Sequence, residues 1–191
     1  GQDGSDGIQA TGRHAAQWSQ PGEGRSPVCN YCVGYHSLNL KTGLWYEIGN
    51  TPFKGEMKTV LLEDKLYVFE LASLKNNQKS FLHIFDLNSG KWVSKGKLPE
   101  EIRDPGVASS DNTIYLLDDG KFFVFDSKTS LLREYLSDLF IQGATMHYHE
   151  NSLYVLGGYK KDNISMLPSS QMFRIDLDQL DNTKVNLFTE L

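Results

Sequence analysis

Two cysteines and a histidine lie close together near the start of the chain. The stretch VCNYCVGYH contains Cys29, Cys32 and, four residues later, His36. A structural zinc ion needs four such ligands, usually from two Cys pairs, and the sequence has only these two cysteines. A redox-active Cys-x-x-Cys pair needs a helix N-terminus to lower its thiol pKa, whereas this stretch has strand-like composition. We therefore interpret Cys29 and Cys32 as small apolar residues of a strand.

Paired histidines and paired carboxylates are candidates for metal binding or acid–base catalysis. His147 and His149 are two residues apart in MHYHE, so on a strand they share one face and could hold a metal ion. Asp118–Asp119 belongs to LLDDGKFF, where Asp-Gly is typical of a hairpin turn. Asp176 and Asp178 lie in a polar turn, where Asp side chains bind backbone amides. From these patterns we predict no metal site, no catalytic residue and no cofactor.

A pair of glycines ends the apolar run NSLYVLGGYKK, at Gly157 and Gly158. A phosphate-binding glycine loop requires a helix N-terminus behind it. The following stretch, YKKDNISMLPSSQ, contains Pro168 and lacks the apolar period of a helix. We therefore predict that the two glycines end a strand and adopt positive φ where the chain leaves a sheet.

The composition excludes several classes of partner. The chain has 191 residues and a net charge of −5, and its basic residues are scattered, which predicts neither a nucleic-acid nor a membrane partner. It has no apolar run of roughly 18 residues, the length that a membrane helix requires. The first residues lack the pattern of a secretory signal, and two cysteines are too few for a disulfide framework. We expect a cytoplasmic location.

The chain divides into two parts by composition. Residues 1–27, GQDGSDGIQATGRHAAQWSQPGEGRSP, are rich in Gly, Ser, Gln and charges, so we predict a flexible or poorly ordered N-terminal segment. In residues 28–191, apolar runs of four to seven residues such as KLYVFE, FLHIFDL and KFFVF alternate with turn clusters such as NSG and DDG. Many short strands separated by turns predict an all-β protein.

Two interleaved patterns recur along residues 28–191. In the first, DKLYVFE, NTIYLLD and NSLYVLG align on tyrosines spaced by 48 and then 39 residues, Tyr67, Tyr115 and Tyr154. In the second, a strand is followed by Asp or Asn, a polar turn and a large apolar residue; its polar positions are Asn39, Asp86, Asp126 and Asp176. The patterns predict four-stranded antiparallel units at approximately 28–50, 55–96, 104–136 and 143–188, the first of them partial. The fourth unit is expected to close with an outer strand at residues 184–187.

These strands are apolar on both faces. In FLHIFDL, Phe81, Phe85 and Leu87 alternate with Leu82 and Ile84, so neither face is polar. Such a sheet requires one layer above it and another below it. Stacking the units radially around an axis would supply both layers.

The period, the four strands per unit and the strand–turn–Trp pattern ending at Trp45 and Trp92 resemble the kelch repeat. The resemblance covers Tyr35 to the C-terminus and implies an all-β, kelch-like β-propeller of four-stranded antiparallel blades, with about three full blades and a partial one. Only the fourth unit carries the Gly-Gly pair that the family usually has after its second strand. The number of units fits either a part of a larger propeller or a small divergent ring.

The resemblance also implies a function and a set of binding residues. Kelch-like domains hold protein ligands with the loops that precede each blade and those between its second and third strands. Here such positions are Lys54, Glu70, Arg103, Gln142, Tyr159 and Lys160. We therefore expect a non-catalytic protein–protein interaction module with a protein partner. The resemblance also allows further blades outside this chain or a larger complex. The alternative is a carbohydrate-active enzyme or lectin on the same scaffold.

Overall fold

The computed structural model describes residues 34–53, 55–73, 78–98, 102–161 and 165–191. Within these ranges the chain is almost entirely β, with one short 3₁₀ helix at Leu177–Asn182, so the predicted all-β fold is confirmed. The chain forms two compact units, residues 1–57 and 58–191. The strands, in chain order, are β1 (Gly34–Asn39), β2 (Leu44–Asn50), β3 (Met57–Leu62), β4 (Lys65–Glu70), β5 (Phe81–Asp86), β6 (Lys91–Lys97), β7 (Gly106–Ser110), β8 (Thr113–Asp118), β9 (Lys121–Asp126), β10 (Leu131–Leu136), β11 (Thr145–His149), β12 (Ser152–Leu156), β13 (Tyr159–Lys161), β14 (Met166–Pro168), β15 (Met172–Asp176) and β16 (Leu187–Glu190).

The described part of the first unit contains an antiparallel hairpin of β1 and β2. Its turn is closed by Asn39, whose side-chain oxygen accepts hydrogen bonds from the backbone N–H groups of Lys41 and Thr42 at 3.0 and 3.1 Å. Gly43 then adopts a φ of +69°, which a residue without a Cβ tolerates. The two strands predicted for the partial first unit are thus present, and the segment predicted to be flexible, residues 1–27, lies outside the described residues.

The described residues of the second unit form three larger sheets, in which the strand pairings from β4 to β6, from β7 to β10 and from β11 through β12 to β15 are antiparallel. Sheet 1 runs β3-β4-β5-β6, and sheet 2 runs β7-β8-β9-β10 with β16 added beside β10. Sheet 3 runs β11-β12-β15. The strands predicted within residues 55–96 and 104–136 are therefore confirmed. The segment between β12 and β15 corresponds to the predicted loop between the second and third strands of the fourth unit, and it contains the two-stranded ribbon β13-β14.

The aligned Asp and Asn positions of the repeat have one structural role. Each accepts a hydrogen bond from a backbone N–H two or three residues further on, which stabilises the turn after a strand. The pairs are Lys41 to Asn39 (3.0 Å), Ser89 to Asp86 (2.7 Å), Lys128 to Asp126 (2.8 Å) and Asp178 to Asp176 (3.2 Å). The interpretation as a turn residue is confirmed for Asp176. Asp178 instead lies in the 3₁₀ helix, and its carboxylate accepts a hydrogen bond from Asn151 Nδ2 at 2.6 Å.

The fourth repeat differs from the others after this turn. In the first three, a residue with positive φ (Gly43, Gly90 or Ser130) precedes the next strand of the sheet. In the fourth, the chain enters the 3₁₀ helix instead. The outer strand predicted at residues 184–187 is therefore wrong: the last strand begins at residue 187 and pairs with β10 of sheet 2. Within the described ranges, sheet 3 has three strands and sheet 2 has five.

Sheet 2 is buried on both faces. Ile114 and Leu116 of β8 pack with buried residues of sheet 1, whereas Tyr115 and Leu117 of the same strand pack with buried residues of sheet 3. Sheet 1 contributes Tyr67, Phe69 and Leu82 to the first cluster. Sheet 3 contributes Met146, Leu153 and Val155 to the second. The strand's two-residue side-chain period thus places apolar groups in two separate cores, as the two-sided pattern of the sequence predicts.

Sheets 2 and 3 are close together at their first strands and separated at their last. A Cβ atom added to Gly106, at the start of β7, would lie 2.9 Å from Met146 Cγ and 3.0 Å from the carbonyl oxygen of Ala144. At the other side, between β10 and β15, a cleft of about 700 Å³ separates the two sheets; we call it the outer cleft. The distance between the two sheets therefore increases from their first strands to their last.

Candidate functional site: a loop cluster beside sheets 2 and 3

Four connecting segments meet at one end of sheets 2 and 3, and we call them the loop cluster. They are Ile102–Pro105 before β7, Asp118–Gly120 between β8 and β9, 141–144 before β11, and 157–159 after β12. Backbone hydrogen bonds join them: Gly143 N–H donates to the carbonyl oxygen of Asp104 (2.7 Å), and Asp119 N–H donates to that of Ile141 (3.0 Å). Segments that are distant in sequence are thus held as one surface.

Asp118 anchors the first two segments. Its side chain is buried, and its Oδ2 accepts a hydrogen bond from the backbone N–H of Arg103 at 2.7 Å. Burial raises the pKa of Asp118, the backbone N–H groups of Arg103 and Asp104 act against that rise, and the nearby carboxylates of Asp104 and Asp119 add to it. Its Oδ1 is buried with no hydrogen-bond partner among the described residues. Asp118 is the last residue of β8, and its buried carboxylate holds the segment before β7. The predicted Asp-Gly turn is formed by Asp119 and Gly120, both with positive φ, so the interpretation of Asp118 itself as a turn residue is wrong.

Gln142 and Tyr159 are brought together by their backbones. Each N–H donates to the other residue's carbonyl oxygen, at 3.0 and 2.8 Å, which forms an isolated antiparallel bridge. The bridge depends on Gly158, because an added Cβ there would lie 2.6 Å from the carbonyl oxygen of Gln142. Gly158 also has a φ of +79°, and Gly157 one of +66°. The predicted role of the two glycines is confirmed, since they end β12 and the described chain continues into β13 rather than a helix.

The loop cluster displays exposed side chains that suit an interface. The side chain of Arg103 is exposed, and Tyr159 has 48% of its surface accessible. Lys58 forms an ion pair with Asp104 at 3.0 Å, which places a further charged pair beside them. Arg and Tyr are the residue types most often found at the energetic centres of protein interfaces. Three of the predicted binding residues, Arg103, Gln142 and Tyr159, thus lie in one cluster.

The remaining predicted binding residues are placed differently. Glu70 is buried: its Oε1 accepts from Gln78 Nε2 (2.6 Å), and its Oε2 lies 2.8 Å from His83 Nε2. It was predicted because it lies at the loop between the second and third strands of its unit, but its carboxylate is directed to Gln78 and His83 instead of to solvent. Lys160 is half-buried; its ammonium contacts Gln171 and lies 4.7 Å from the centroid of the Phe173 ring. Lys54 lies outside the described residues.

Asp104 and Asp118 belong to the site, but the sequence reasoning did not select them as binding residues. The sequence identifies Asp118 only as part of an Asp-Gly turn, and Asp104 follows Arg103 without a distinguishing pattern. Both residues join segments that are distant in sequence: Asp118 accepts from the N–H of Arg103, 15 residues away, and the carbonyl oxygen of Asp104 accepts from the N–H of Gly143. A local pattern carries no signal for such contacts.

The described residues show no group of three or more His, Cys, Asp and Glu side chains arranged to hold a metal ion. His147 and His149 are exposed on the same side of β11, and His149 Nε2 lies 3.7 Å from Glu150 Oε1. Cys29 and Cys32 lie outside the described residues. The same part of the chain contains no helix of the length and apolar character needed to cross a membrane.

Comparisons with known proteins give a fold likeness. No protein-family model matches the chain, and no curated protein matches it at a significant level. The fold is similar to that of YjhT. The solved structure of YjhT aligns with a TM-score of 0.63 and 14% sequence identity over 74% of this chain. The chain spans 59% of the length of YjhT, and at this identity the likeness to YjhT concerns the fold alone.

Proposed function

We propose that this chain is a non-catalytic protein-binding module built from kelch-like propeller blades, with the loop cluster as its binding surface. The main support for this proposal is the Gln142–Tyr159 bridge, in which backbone hydrogen bonds hold two separate loops together. A surface fixed in this way loses little conformational entropy when a partner binds. Arg103 and Tyr159 supply the exposed anchors.

The blade assignment is supported by the packing of the sheets. Sheet 2 is covered on both faces by sheets that share its strand order, and sheets 2 and 3 diverge from their first strands to their last. Radial stacking of similar sheets requires both features. YjhT aligns with this chain over only part of its own length, which is compatible with further sheets in a longer protein.

Carbohydrate binding is favoured by one observation, the convergence of Asp104, Asp118 and Asp119 near Tyr159 in the loop cluster. Acids and an aromatic ring together suit sugar hydroxyls and ring faces. However, Asp118 is buried and its Oδ2 is occupied by a backbone N–H, so its carboxylate is a structural tie. We therefore place this function second.

The proposal is tested by affinity purification with the immobilised chain, comparing the wild type with Arg103→Ala, Tyr159→Ala and Val93→Ala. Val93 is exposed on β6 of sheet 1, outside the four segments of the loop cluster, and serves as the control. We expect specific proteins bound by the wild type and by Val93→Ala, with recovery reduced about tenfold or more in the other two variants. Equal recovery by all four proteins would remove the loop cluster as the binding surface. Binding on a glycan array that depends on Tyr159 would favour the second function.

A further inference from the structure

We propose that His147 and His149 together bind one divalent transition-metal ion on the face of sheet 3 that points away from sheet 2. Imidazole nitrogen suits Zn²⁺, Cu²⁺ and Ni²⁺. The protein supplies two ligands and water completes the coordination, so this is an open surface site rather than a closed structural centre. The two histidines lie outside the four segments of the loop cluster, and the inference does not depend on the function proposed above.

The first observation is the direction of the two imidazoles. Met146 is buried in the core that sheets 2 and 3 share, and the ring of Tyr148 stacks on that of Tyr115 in β8, with centroids 6.3 Å apart. Successive side chains of a strand point to opposite faces, so His147 and His149 point away from sheet 2. Both are exposed, and the side chain of His149 has 68% of its surface accessible.

The second observation is a fixed backbone beneath both imidazoles. All five residues of β11, Thr145–His149, pair with β12 in an unbroken antiparallel register. In the turn that follows, the N–H of Asn151 donates to Tyr148 Oη at 3.3 Å. Binding a metal ion therefore requires adjustment of two side chains only, which keeps the entropic cost of binding small.

The spacing of the pair is compatible with one shared ion. Two residues of a strand span about 6.7 Å along its axis. Two nitrogens at about 2.0–2.1 Å from a tetrahedral zinc ion lie about 3.3 Å from each other. Because His147 and His149 are both exposed, their rings can rotate towards each other and close this difference.

The third observation is the charge around the pair. Glu150 Oε1 lies 3.7 Å from His149 Nε2, and Asp178 accepts a hydrogen bond at 2.6 Å from the side chain of the residue after Glu150. Arg174 lies on the same face by strand register, 4.0 Å from the carboxylate of Asp176. These carboxylates favour a cation. The spacing of the two histidines alone did not predict a metal site, whereas their exposure, fixed backbone and acidic surroundings support one.

The test is isothermal titration of the full chain with NiCl₂, followed by NMR, because Ni²⁺ binds imidazole and is paramagnetic. We expect an ion bound at this pair with a Kd at or below about 1 mM. Broadening of amide signals should be strongest along β11 and its partner β12, and weaker in sheet 1. MgCl₂ at the same concentration should not bind there, because Mg²⁺ takes oxygen ligands.

Single substitutions test each ligand. His147→Gln and His149→Gln should each weaken Ni²⁺ binding at β11 about tenfold or more, and the double substitution should abolish it. Both side chains are exposed, so neither change should shift the melting temperature by more than about 2 °C. An unchanged melting temperature separates loss of the ligand from loss of the fold.

A matched control removes the other metal-binding residue types that cluster in the sequence, Cys29, Cys32 and His36. The variant Cys29→Ser/Cys32→Ser/His36→Gln should retain the broadening along β11. Arg103→Ala and Tyr159→Ala should also retain it, so failure of this inference and failure of the loop cluster as a binding surface are distinguishable.

Three results would overturn the inference. They are the absence of broadening along β11 at about 1 mM Ni²⁺, unchanged broadening in the double His→Gln variant, and loss of the broadening in the control that lacks Cys29, Cys32 and His36. Equal binding of Mg²⁺ at β11 would also overturn it, because the ion would then be held by carboxylates alone.

Discussion

Replacing Leu116 and Leu117 with alanine, one at a time, tests whether both faces of sheet 2 are buried. The two residues are neighbours on β8 and have no exposed surface. Leu116 packs in the core shared with sheet 1, and Leu117 packs in the core shared with sheet 3. If each core is formed by two sheets, the two substitutions should destabilise the protein by comparable amounts.

The expected magnitude follows from burial. A fully buried leucine shortened to alanine costs about 2–5 kcal/mol, which includes the lost transfer free energy and the cavity left behind. For a domain of this size, about 1 kcal/mol shifts the melting temperature by roughly 2–4 °C, so each substitution should lower it by about 4–20 °C. Leu61→Ala provides the control, because Leu61 lies on β3 with 45% of its surface exposed; its cost should be well below that range.

Urea unfolding at fixed pH measures these free energies, provided that the m-value is unchanged between variants. Comparable losses for Leu116→Ala and Leu117→Ala, both well above that of Leu61→Ala, would support the stack of three sheets. A loss below about 1 kcal/mol at either leucine would refute it, because the corresponding face of sheet 2 would then lack a covering layer.

Three further predictions concern tertiary contacts. Asn186→Ala should cost about 1–3 kcal/mol in urea unfolding, because Asn186 Nδ2 donates at 2.6 Å to Oε1 of the buried Glu134; an effect below about 0.5 kcal/mol would contradict this role. Burial raises the pKa of Asp118 above 3.8 in the folded state, so the free energy of unfolding of the wild type should fall as the pH rises through that raised pKa. Asp118→Asn should lack this fall. Parallel pH profiles of the unfolding free energy for the two proteins would show that Asp118 is not the group responsible. Gly158→Ala should destabilise the protein more than Gly157→Ala and should speed hydrogen exchange in the loop cluster. Both glycines have positive φ, but of the two only Gly158 would place an added Cβ within 3.0 Å of backbone atoms. Equal effects of the two substitutions on the melting temperature would contradict this prediction.

Turn chemistry and strand positions could be predicted from the sequence because both depend on neighbouring residues. Asp86 and Asp126 close their turns through N–H groups two or three residues away, whatever the rest of the chain does. The two-sided apolar pattern, seen in FLHIFDL of β5, predicted sheets that are covered on both faces, and the structure shows this for sheet 2.

The candidate site was predictable only in part. Arg103 and Tyr159 could be named from loop position, and the structure places both in the loop cluster. Glu70 was selected by the same reasoning but is buried, because its carboxylate is directed to Gln78 and His83 rather than to solvent. Loop position alone does not specify side-chain direction.

The sequence by itself determined the strands β3 to β12 and β15, how the chain turns between most of them and that both faces of the sheets must be covered, since these properties arise from local hydrogen bonds and a two-residue period. It did not determine the ribbon β13-β14 or the last strand. Only the tertiary structure decided which edge the last strand joins and which loops meet. The local sequence of the strand Leu187–Glu190 does not specify whether it joins sheet 2 or sheet 3. Its pairing with β10 of sheet 2 is set by contacts such as that of Asn186 with Glu134, 52 residues apart. Pairing of this kind depends on which edges and cores the rest of the fold presents, and a one-dimensional pattern does not contain that information.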